Sequence, residues 1–301
     1  MGYGFGNGKI ILFGEHFVVH GAPAIAAGIS NSSVVEIYEN STENKIITDL
    51  KVVPKLSIPA ITSIANALKL NKTFDVYLTG DLPTYGGLGS SAAFSVALVR
   101  ALSNEYGLNL SDKEVNHIAY EGEKSFHGNP SGLDNLAATY GGIIQFTRGA
   151  NPSENTYKNI SNSTSLNLTI SFSGKYGATV AMVEKVRKFK ETNSSQFDAL
   201  FASYNSVFNQ GKESLPNPVR LGPYLDANHA LLVNLGVVDK PNEQIVTLAR
   251  KSGALGAKLT GGGGGGCCIA LAKDESHARE MAAIIDAAGF PSFSTLVKSK
   301  S

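Results

Sequence analysis

Cysteine is scarce in this chain of 301 residues, which contains only Cys267 and Cys268. Adjacent residues of a strand point to opposite faces, so these two thiols are poorly placed to pair with each other. The sequence therefore carries neither a disulfide framework nor a four-cysteine zinc site. We expect the protein to work in a reducing compartment, the cytosol.

An excess of charge of one sign is also lacking, as are long apolar runs. The chain has 26 Lys and Arg against 25 Asp and Glu, a net charge of +1, which argues against a nucleic-acid binder that relies on a basic surface. No apolar run approaches the roughly 20 residues of a membrane-spanning helix. The first residues do not resemble a secretory signal, and the final Ser-Lys-Ser is not a peroxisomal address. We expect neither nucleic acid nor membrane as a partner.

Glycine, by contrast, is abundant, with 32 residues that include the uninterrupted run 261–266. Glycine density of this kind is typical of backbone that lies close to a ligand. The chain length favours two domains. Residues 149–167 are polar, rich in Asn and Ser and without periodicity, which predicts a loop at the boundary. We therefore predict domains at 1–160 and 161–301.

Hydrophobic periodicity predicts an α+β chain. Strands are expected at residues 9–13, 74–79, 143–146, 267–272 and 292–297. Helices are expected from Ser90 to near Gly107, then after a capping box of Ser111 and Glu114, and at 133–140, 180–191, 196–212, 218–235, 242–252 and 275–287.

The segment 82–92 joins a predicted strand to a predicted helix and is rich in glycine and serine. A helix N-terminus has unpaired N–H groups and a partial positive charge, and glycines let the main chain approach an anion, so this segment is a candidate phosphate loop. The hydroxyls of Ser90 and Ser91 can cap the helix or ligate a phosphate-bound Mg²⁺.

Other interpretations of this loop remain open. Gly87, Gly89 and Ala92 fit a relaxed dinucleotide-binding fingerprint, but a capped helix occupies the place where a second parallel strand would be needed. A P-loop would need a lysine that is absent here. An ordinary glycine-rich turn with a serine N-cap is the simplest alternative.

Two carboxylates and one lysine are further candidates. Helical spacing places Glu123 on or beside the apolar face of its helix, where it needs a cation, a metal or an arginine, unless it lies at the edge of that face. Asp134 lies in the first turn of a short helix, where it either stabilises the helix start or orients a substrate hydroxyl and accepts its proton. Lys9 is either a surface lysine or a partner of such an aspartate and of phosphate oxygens.

The glycine run 261–266 precedes the predicted strand at Cys267. Six consecutive glycines carry a large ordering cost, about 1–2 kcal/mol for each fixed residue. We favour a loop packed against the phosphate site, and a mobile hinge is the alternative.

Three segments together resemble the three motifs of the GHMP small-molecule kinases, in the same order. They are Gly8-Lys9-Ile10-Ile11-Leu12-Phe13-Gly14-Glu15-His16, Gly87-Leu88-Gly89-Ser90-Ser91-Ala92-Ala93, and Lys258-Leu259-Thr260 followed by 261–266 and Cys267. Within the family, residues 14–21 and 120–135 resemble the mevalonate kinases most. The resemblance spans the whole chain and is weakest at 31–73 and 149–230.

The resemblance implies a fold and a reaction. The implied fold has an N-terminal lobe like domain 2 of ribosomal protein S5 and a ferredoxin-like C-terminal lobe. The implied reaction is the ATP-dependent phosphorylation of the C5 hydroxyl of mevalonate, an early step of isoprenoid biosynthesis. Mevalonate, ATP and Mg²⁺ would then be the ligands, and a homodimer remains open.

The resemblance also implies site residues. ATP would lie along Gly86, Gly87, Leu88, Gly89, Ser90 and Ser91. Ser91 and Glu123 would hold Mg²⁺, while Asp134 as base and Lys9 would hold the reacting hydroxyl. Glu15 and His16 would line the mevalonate site, and Thr179, which we expect to be a helix N-cap, aligns less securely with a threonine near the substrate.

Two other functions stay open. A phosphomevalonate kinase would need extra Lys or Arg around the acceptor, and residues 8–22 and 120–135 offer only Lys9 and Lys124. A non-catalytic ligand sensor of the same family would be expected to lack the base or the metal ligand, whereas this sequence has candidates for both.

Overall fold

The computed structural model describes residues 1–49, 57–128, 130–150, 154–177 and 179–299. Its strands are β1 (Gly2–Phe13), β2 (Ala24–Asn40), β3 (Lys45–Ile47), β4 (Thr73–Gly80), β5 (Ile143–Thr147), β6 (Thr156–Ile160), β7 (Leu166–Phe172), β8 (Gly256–Thr260), β9 (Cys267–Leu271) and β10 (Ser292–Val297). Its α-helices are α1 (Ser57–Ala67), α2 (Ser90–Glu105), α3 (Asp112–His127), α4 (Leu133–Tyr140), α5 (Thr179–Thr192), α6 (Ser194–Ser214), α7 (Pro218–Asn234), α8 (Lys240–Lys251) and α9 (Glu275–Ala287). Within the described residues, no helix is both long and apolar enough to cross a bilayer.

The chain forms two compact units, and each takes residues from more than one stretch of sequence. The first unit comprises residues 1–9, 28–84 and 88–141. Residues 33–40 of β2 pair antiparallel with β4, and β3 pairs parallel with β4. Helices α1, α2 and α3 pack on one another in this unit. Its core combines alternate residues of β2 and β4 with the apolar faces of these helices, among them Val35, Ile64, Val76, Phe94, Leu98 and Val115.

Alternate glycines of β1 allow the strand to lie directly on helix α2. A Cβ atom at Gly2, Gly4 or Gly6 would overlap the carbonyl oxygen of Ala101, Ala97 or Ala93, respectively. Two residues of a strand and four residues of a helix advance by similar distances, about 6 Å, so the glycines meet successive turns of the helix. Here the glycines bring the backbone close to another element of the fold rather than to a ligand.

The second unit comprises residues 10–27, 85–87 and the chain from Gly142 onward. Its four-stranded sheet has the order β10-β7-β9-β8, and each neighbouring pair is antiparallel. The chain order of these strands, fourth-first-third-second, is that of a ferredoxin-like sheet, which confirms this prediction. In the same unit, β5 pairs with residues 24–27 of β2 and with β6.

Most predicted elements are confirmed, and helix α3 has the predicted capping box of Ser111 and Glu114. Both cysteines are free and buried, as expected. The predicted loop at 149–167 is wrong in part, because it contains β6 and the start of β7, while residues 151–153 lie outside the described residues. Strand β6 is exposed along most of its length, so it lacks the apolar alternation that identifies a strand and is held by backbone pairing with β5. The predicted domain boundary at residue 160 stays a prediction.

We predict that Gly4→Ala destabilises the fold by at least about 2 kcal/mol, because the added methyl group would overlap the backbone of α2. Urea denaturation would measure the loss. The exposed neighbour Tyr3 points away from the helix, so Tyr3→Ala serves as the control and should cost less than about 1 kcal/mol. Equal losses in the two variants would contradict this account of the glycine stripe.

Candidate active site

Helix α2 begins without a side-chain cap. Its N-cap is Gly89, which has a φ of 69°, and no side-chain cap bond is formed among the described residues. Ser90 Oγ instead donates to the carbonyl oxygen of Pro83 at 3.2 Å, and Ser91 Oγ donates to Glu123 Oε2 at 3.4 Å. The N-terminus of the helix therefore keeps its partial positive charge and donor groups for an anion. The N-cap is a glycine, which is evidence against the alternative of an ordinary turn with a serine N-cap.

Lys9 joins this helix start to Asp134 within the first unit. Its N–H donates to the carbonyl oxygen of Leu88 at 2.9 Å, and its aliphatic stem packs on the Cα of Gly89. Its Nζ lies 3.1 Å from Asp134 Oδ1, with the lysine 5% exposed and the aspartate 33% exposed. Asp134 lies in the first turn of α4. Lys9 is therefore a buried partner of an accessible carboxylate, not a surface lysine.

Glu123 is buried on helix α3 and lacks a full set of partners. Its side chain is 1% exposed, and Oε1 has no hydrogen-bond partner among the described residues. Burial, together with the negative charge of Asp134, raises the pKa of the Glu123 carboxyl to about 8. A cation at this position would offset both effects. Ser91 and Glu123 both offer oxygen donors, which suit Mg²⁺.

His127 stands one helical turn after Glu123. Its Nε2 lies 3.3 Å from Ser91 Oγ and 3.8 Å from Glu123 Oε2. His127 is not among the predicted site residues, although its spacing of four from Glu123 is a signal in the sequence. Within the described part of the chain, no group of three or more His, Cys, Asp or Glu residues could hold a metal ion.

Glu15 and His16 lie in the second unit, directly after β1. Glu15 forms an ion pair with Lys258, and both side chains are fully buried. His16 Nε2 lies 2.8 Å from the carbonyl oxygen of Gly262, so this nitrogen carries the proton and donates. Burial lowers the pKa of His16, and the Nδ1 of the neutral ring has no partner among the described residues. His16 can therefore accept a hydrogen bond from a ligand hydroxyl.

An aromatic face of helix α6 supports this segment. Phe197, Phe201, Tyr204 and Phe208 are spaced along one side of the helix. Tyr204 stacks on Phe17 at 4.3 Å between ring centroids, and Phe197 meets His20 at 4.8 Å. The packing fixes the 3₁₀ turn Phe17–His20 that follows Glu15 and His16.

The glycine run 261–266 forms a tight loop between β8 and β9. Five of its six residues have a positive φ, which side chains disfavour. Gly261 packs against Gly87, and Gly266 packs against the carbonyl oxygen of Gly86. These contacts confirm that the run packs against the Gly86–Gly87 segment of the candidate phosphate loop, rather than forming an isolated hinge.

Thr179 contacts the same glycine loop. The side chain packs on Gly262, where a Cβ would come within 2.6 Å of Thr179 Oγ1. Helix α5 begins at Thr179, within one position of the expected N-cap. Thr179 and His16 thus both contact Gly262 within the second unit.

Lys258, in the third sequence motif, contacts two residues of the first motif. Besides pairing with Glu15, its Nζ donates to the carbonyl oxygen of Ile11 at 3.2 Å. Two residues on, Thr260 Oγ1 accepts from the N–H of Ile11 at 2.9 Å. Lys258 and Thr260 lie on the same face of β8, because side chains alternate along a strand. Lys258 belongs to the third motif but has no predicted role, because β8 is not among the predicted strands.

Asn129, in the segment 120–135 that resembles the mevalonate kinases, lies outside the described residues. The other predicted site residues form two groups. Lys9, Leu88, Gly89, Ser90, Ser91, Glu123 and Asp134 meet in the first unit. His16, Gly86, Gly87 and Thr179 surround the glycine loop in the second unit, where Glu15 pairs with Lys258. The first group combines an uncapped helix start, a carboxylate paired with a lysine, and a buried carboxylate that needs a cation, which is the chemistry of a phosphoryl-transfer site.

Family models match both parts of the chain: the GHMP kinase N-terminal domain model matches residues 56–142, and the GHMP kinase C-terminal model matches residues 212–291. The chain belongs to the GHMP kinases.

Among its relatives is the mevalonate kinase of Pyrococcus furiosus, which is 34% identical over 93% of this chain and 91% of the relative. The mevalonate kinase of Thermococcus sibiricus is 32% identical with the same coverage. The crystal structure of L. major mevalonate kinase in complex with R-mevalonate superposes with a TM-score of 0.93 at 36% identity, covering 100% of this chain and 97% of that one. The Methanococcus jannaschii mevalonate kinase gives a TM-score of 0.83 at 26% identity, with coverage of 99% and 98%.

We predict that Lys258→Met costs about 3–5 kcal/mol of stability, because it leaves the Glu15 carboxylate buried without its cation. The double variant Glu15→Gln/Lys258→Met should recover at least about 2 kcal/mol of that loss, since it removes both charges. Chemical denaturation of the full cycle would measure the coupling, with the exposed Lys251→Met as control. Additive losses would show that the two side chains do not stabilise each other.

Because His229 is buried, we predict that the protein loses stability in acid. The N–H of Leu259 donates to His229 Nδ1 at 3.2 Å, and burial, with Arg250 and Lys258 nearby, lowers the pKa of His229 to about 4. The unfolded chain therefore binds more protons than the folded chain between pH 6.5 and 4, so stability falls as pH falls through this range, by up to about 3 kcal/mol. His229→Asn should flatten the dependence by that amount in denaturation curves collected across this range. An identical pH dependence in both proteins would contradict the assignment.

Proposed function

We propose that this protein transfers the γ-phosphoryl group of ATP to the C5 hydroxyl of mevalonate. The products are 5-phosphomevalonate and ADP. A bond forms between the C5 oxygen and the γ-phosphorus, the bond from that phosphorus to the β–γ bridging oxygen breaks, and the hydroxyl proton leaves. A cytosolic location and a role early in isoprenoid biosynthesis belong to the same proposal.

The observation that carries the proposal is the Lys9–Asp134 pair beside the start of α2. The two charged groups are 3.1 Å apart, and the Lys9 stem contacts Gly89 at the N-cap. Phosphate groups held at that helix start would lie close to the carboxylate and the ammonium group. This arrangement supports Asp134 as the acceptor of the hydroxyl proton, with Lys9 holding the carboxylate in place and stabilising the charge of the reacting oxygen.

Substrate recognition falls to Glu15, His16 and Thr179 in this proposal. The unpartnered Nδ1 of neutral His16 can accept a hydrogen bond from a substrate hydroxyl, and the relative from L. major was crystallised with R-mevalonate. Gly86 to Ser91 would hold ATP, because glycines at positive φ bring main-chain N–H groups close to the phosphates.

Ser91 and Glu123 would hold Mg²⁺. The hydroxyl and carboxylate oxygens are of the type that Mg²⁺ prefers, and the unpartnered Glu123 Oε1 supports a cation at this point. When bound, the cation would neutralise phosphate charge and so favour transfer.

Phosphorylation of phosphomevalonate is a weaker candidate. A second phosphate on the acceptor would need its own cationic partners. Lys258, the lysine that pairs with Glu15 in the proposed acceptor site, is fully buried. The curated relatives that cover most of the chain are mevalonate kinases, which favours mevalonate as the acceptor.

The direct test is a coupled ADP-release assay with Mg·ATP and four separate acceptors: mevalonate, phosphomevalonate, homoserine and galactose. We expect turnover with mevalonate that exceeds the others by at least about 100-fold in kcat/KM. Turnover with another acceptor would reassign the substrate. Ligand binding without turnover for any acceptor would favour a sensor.

We predict that Asp134→Asn lowers kcat by about 100-fold or more, because the amide keeps the shape of the carboxylate but cannot accept the proton. Nucleotide affinity, measured by fluorescence titration, should change little. Asp198→Asn, at an exposed position on α6, is the matched control and should keep normal turnover. A kcat of the Asp134→Asn variant close to that of the unaltered protein would exclude Asp134 as the base.

A further inference from the structure

Three donor atoms of the first unit face one another at the start of α2 and the end of α3. Ser91 Oγ lies 3.4 Å from Glu123 Oε2 and 3.3 Å from His127 Nε2, and the carboxylate oxygen lies 3.8 Å from that nitrogen. Two of these contacts lie at the long end of the hydrogen-bond range, and the third exceeds it. The three atoms form a nearly equilateral triangle.

These separations fit a common metal ion. Donor atoms that bind a small divalent ion at about 2.0–2.2 Å in neighbouring positions lie about 3 Å apart. The observed separations therefore need only a small inward movement of the side chains. The spacing of four between Glu123 and His127 places both donors on one face of α3, as in helical metal-binding pairs.

The surroundings favour a cation over an ordinary hydrogen-bond network. Glu123 is 1% exposed, and its second oxygen has no partner among the described residues. Lys9, the ammonium group nearby, pairs with Asp134. His127 is 54% exposed, so an ion can reach the triangle from solvent.

We propose that Ser91, Glu123 and His127 form a three-donor site for a divalent transition-metal ion, in which the imidazole nitrogen makes the site prefer Mn²⁺ or Co²⁺ to Mg²⁺. Imidazole is a good ligand for these ions, whereas Mg²⁺ binds oxygen donors. The inference rests on the proposed function only for the role of Ser91 and Glu123 as cation ligands. The nitrogen ligand and the metal preference go beyond it.

The test uses the full chain without nucleotide and the metal alone as the probe. Electron spin-echo envelope modulation of bound Mn²⁺ should show coupling to a ¹⁴N nucleus, and His127→Ala should abolish it. Titration calorimetry should show that His127→Ala weakens Mn²⁺ and Co²⁺ binding at least about tenfold, and Mg²⁺ binding by less than about threefold.

His117→Ala is the matched control, because His117 is an exposed histidine on the same helix. It should leave the nitrogen coupling and all three affinities unchanged. Thermal unfolding of the variants would show that the exposed His127 is not needed for folding.

Two outcomes would overturn the proposal: nitrogen coupling that persists in His127→Ala, or equal weakening of Mg²⁺, Mn²⁺ and Co²⁺ binding. The acceptor assay of the unaltered protein with Mg·ATP separates this failure from failure of the proposed function. Mevalonate turnover without nitrogen coupling would reject only the third ligand, while absent turnover with clear nitrogen coupling would reject only the substrate assignment.

Discussion

Close packing of backbone on backbone, where side chains are absent, is the constraint on which the first unit depends. Gly2, Gly4 and Gly6 let β1 lie on the carbonyl groups of α2, and Gly89 receives the stem of Lys9 at the start of the same helix. A Cβ atom at these positions would separate the strand from the helix. Because β1 cannot shift relative to α2, the ammonium group of Lys9 reaches Asp134 beside an uncapped helix N-terminus. The backbone contact between β1 and α2 thus positions Lys9 beside Asp134.

The buried charged groups have two different environments: Glu15 has a cationic partner, and Glu123 has none as close. Glu15 and Lys258 neutralise each other in the second unit, where both are fully buried, so the pair anchors β1 to β8 with its charges satisfied. Glu123 is almost as deeply buried, but its pKa is raised, and one of its oxygens has no partner within the described chain. The Glu15–Lys258 pair is neutral as it stands, whereas the Glu123 carboxylate is neutralised only by a proton or a cation. The difference supports a cation at Glu123 and none at Glu15.

The two units contribute different chemistry to the proposed reaction. The first unit holds the uncapped helix start, the Lys9–Asp134 pair, and Ser91 and Glu123, the proposed cation ligands. The second unit holds the residues proposed for acceptor recognition: Glu15 pairs with Lys258, and His16 and Thr179 contact the glycine loop. Under the proposed function, the residues for acceptor recognition are thus separate from those for phosphoryl transfer.

The sequence by itself determined the elements with strong periodicity or explicit end signals, such as α3 with its capping box, and the residue types of the candidate site through three ordered motifs. It could not reveal β6, which is held by pairing with β5 and has no apolar alternation, nor β8, whose buried lysine hides its apolar character. Nor could it assign a partner to Lys258, or identify α2 as the surface that the alternate glycines of β1 contact. Local patterns report the energetics of a single element, whereas ion pairs, donor triangles and backbone contacts join residues that are distant in the chain. Glu15 and Lys258 are 243 positions apart, so only the tertiary structure decided that they pair.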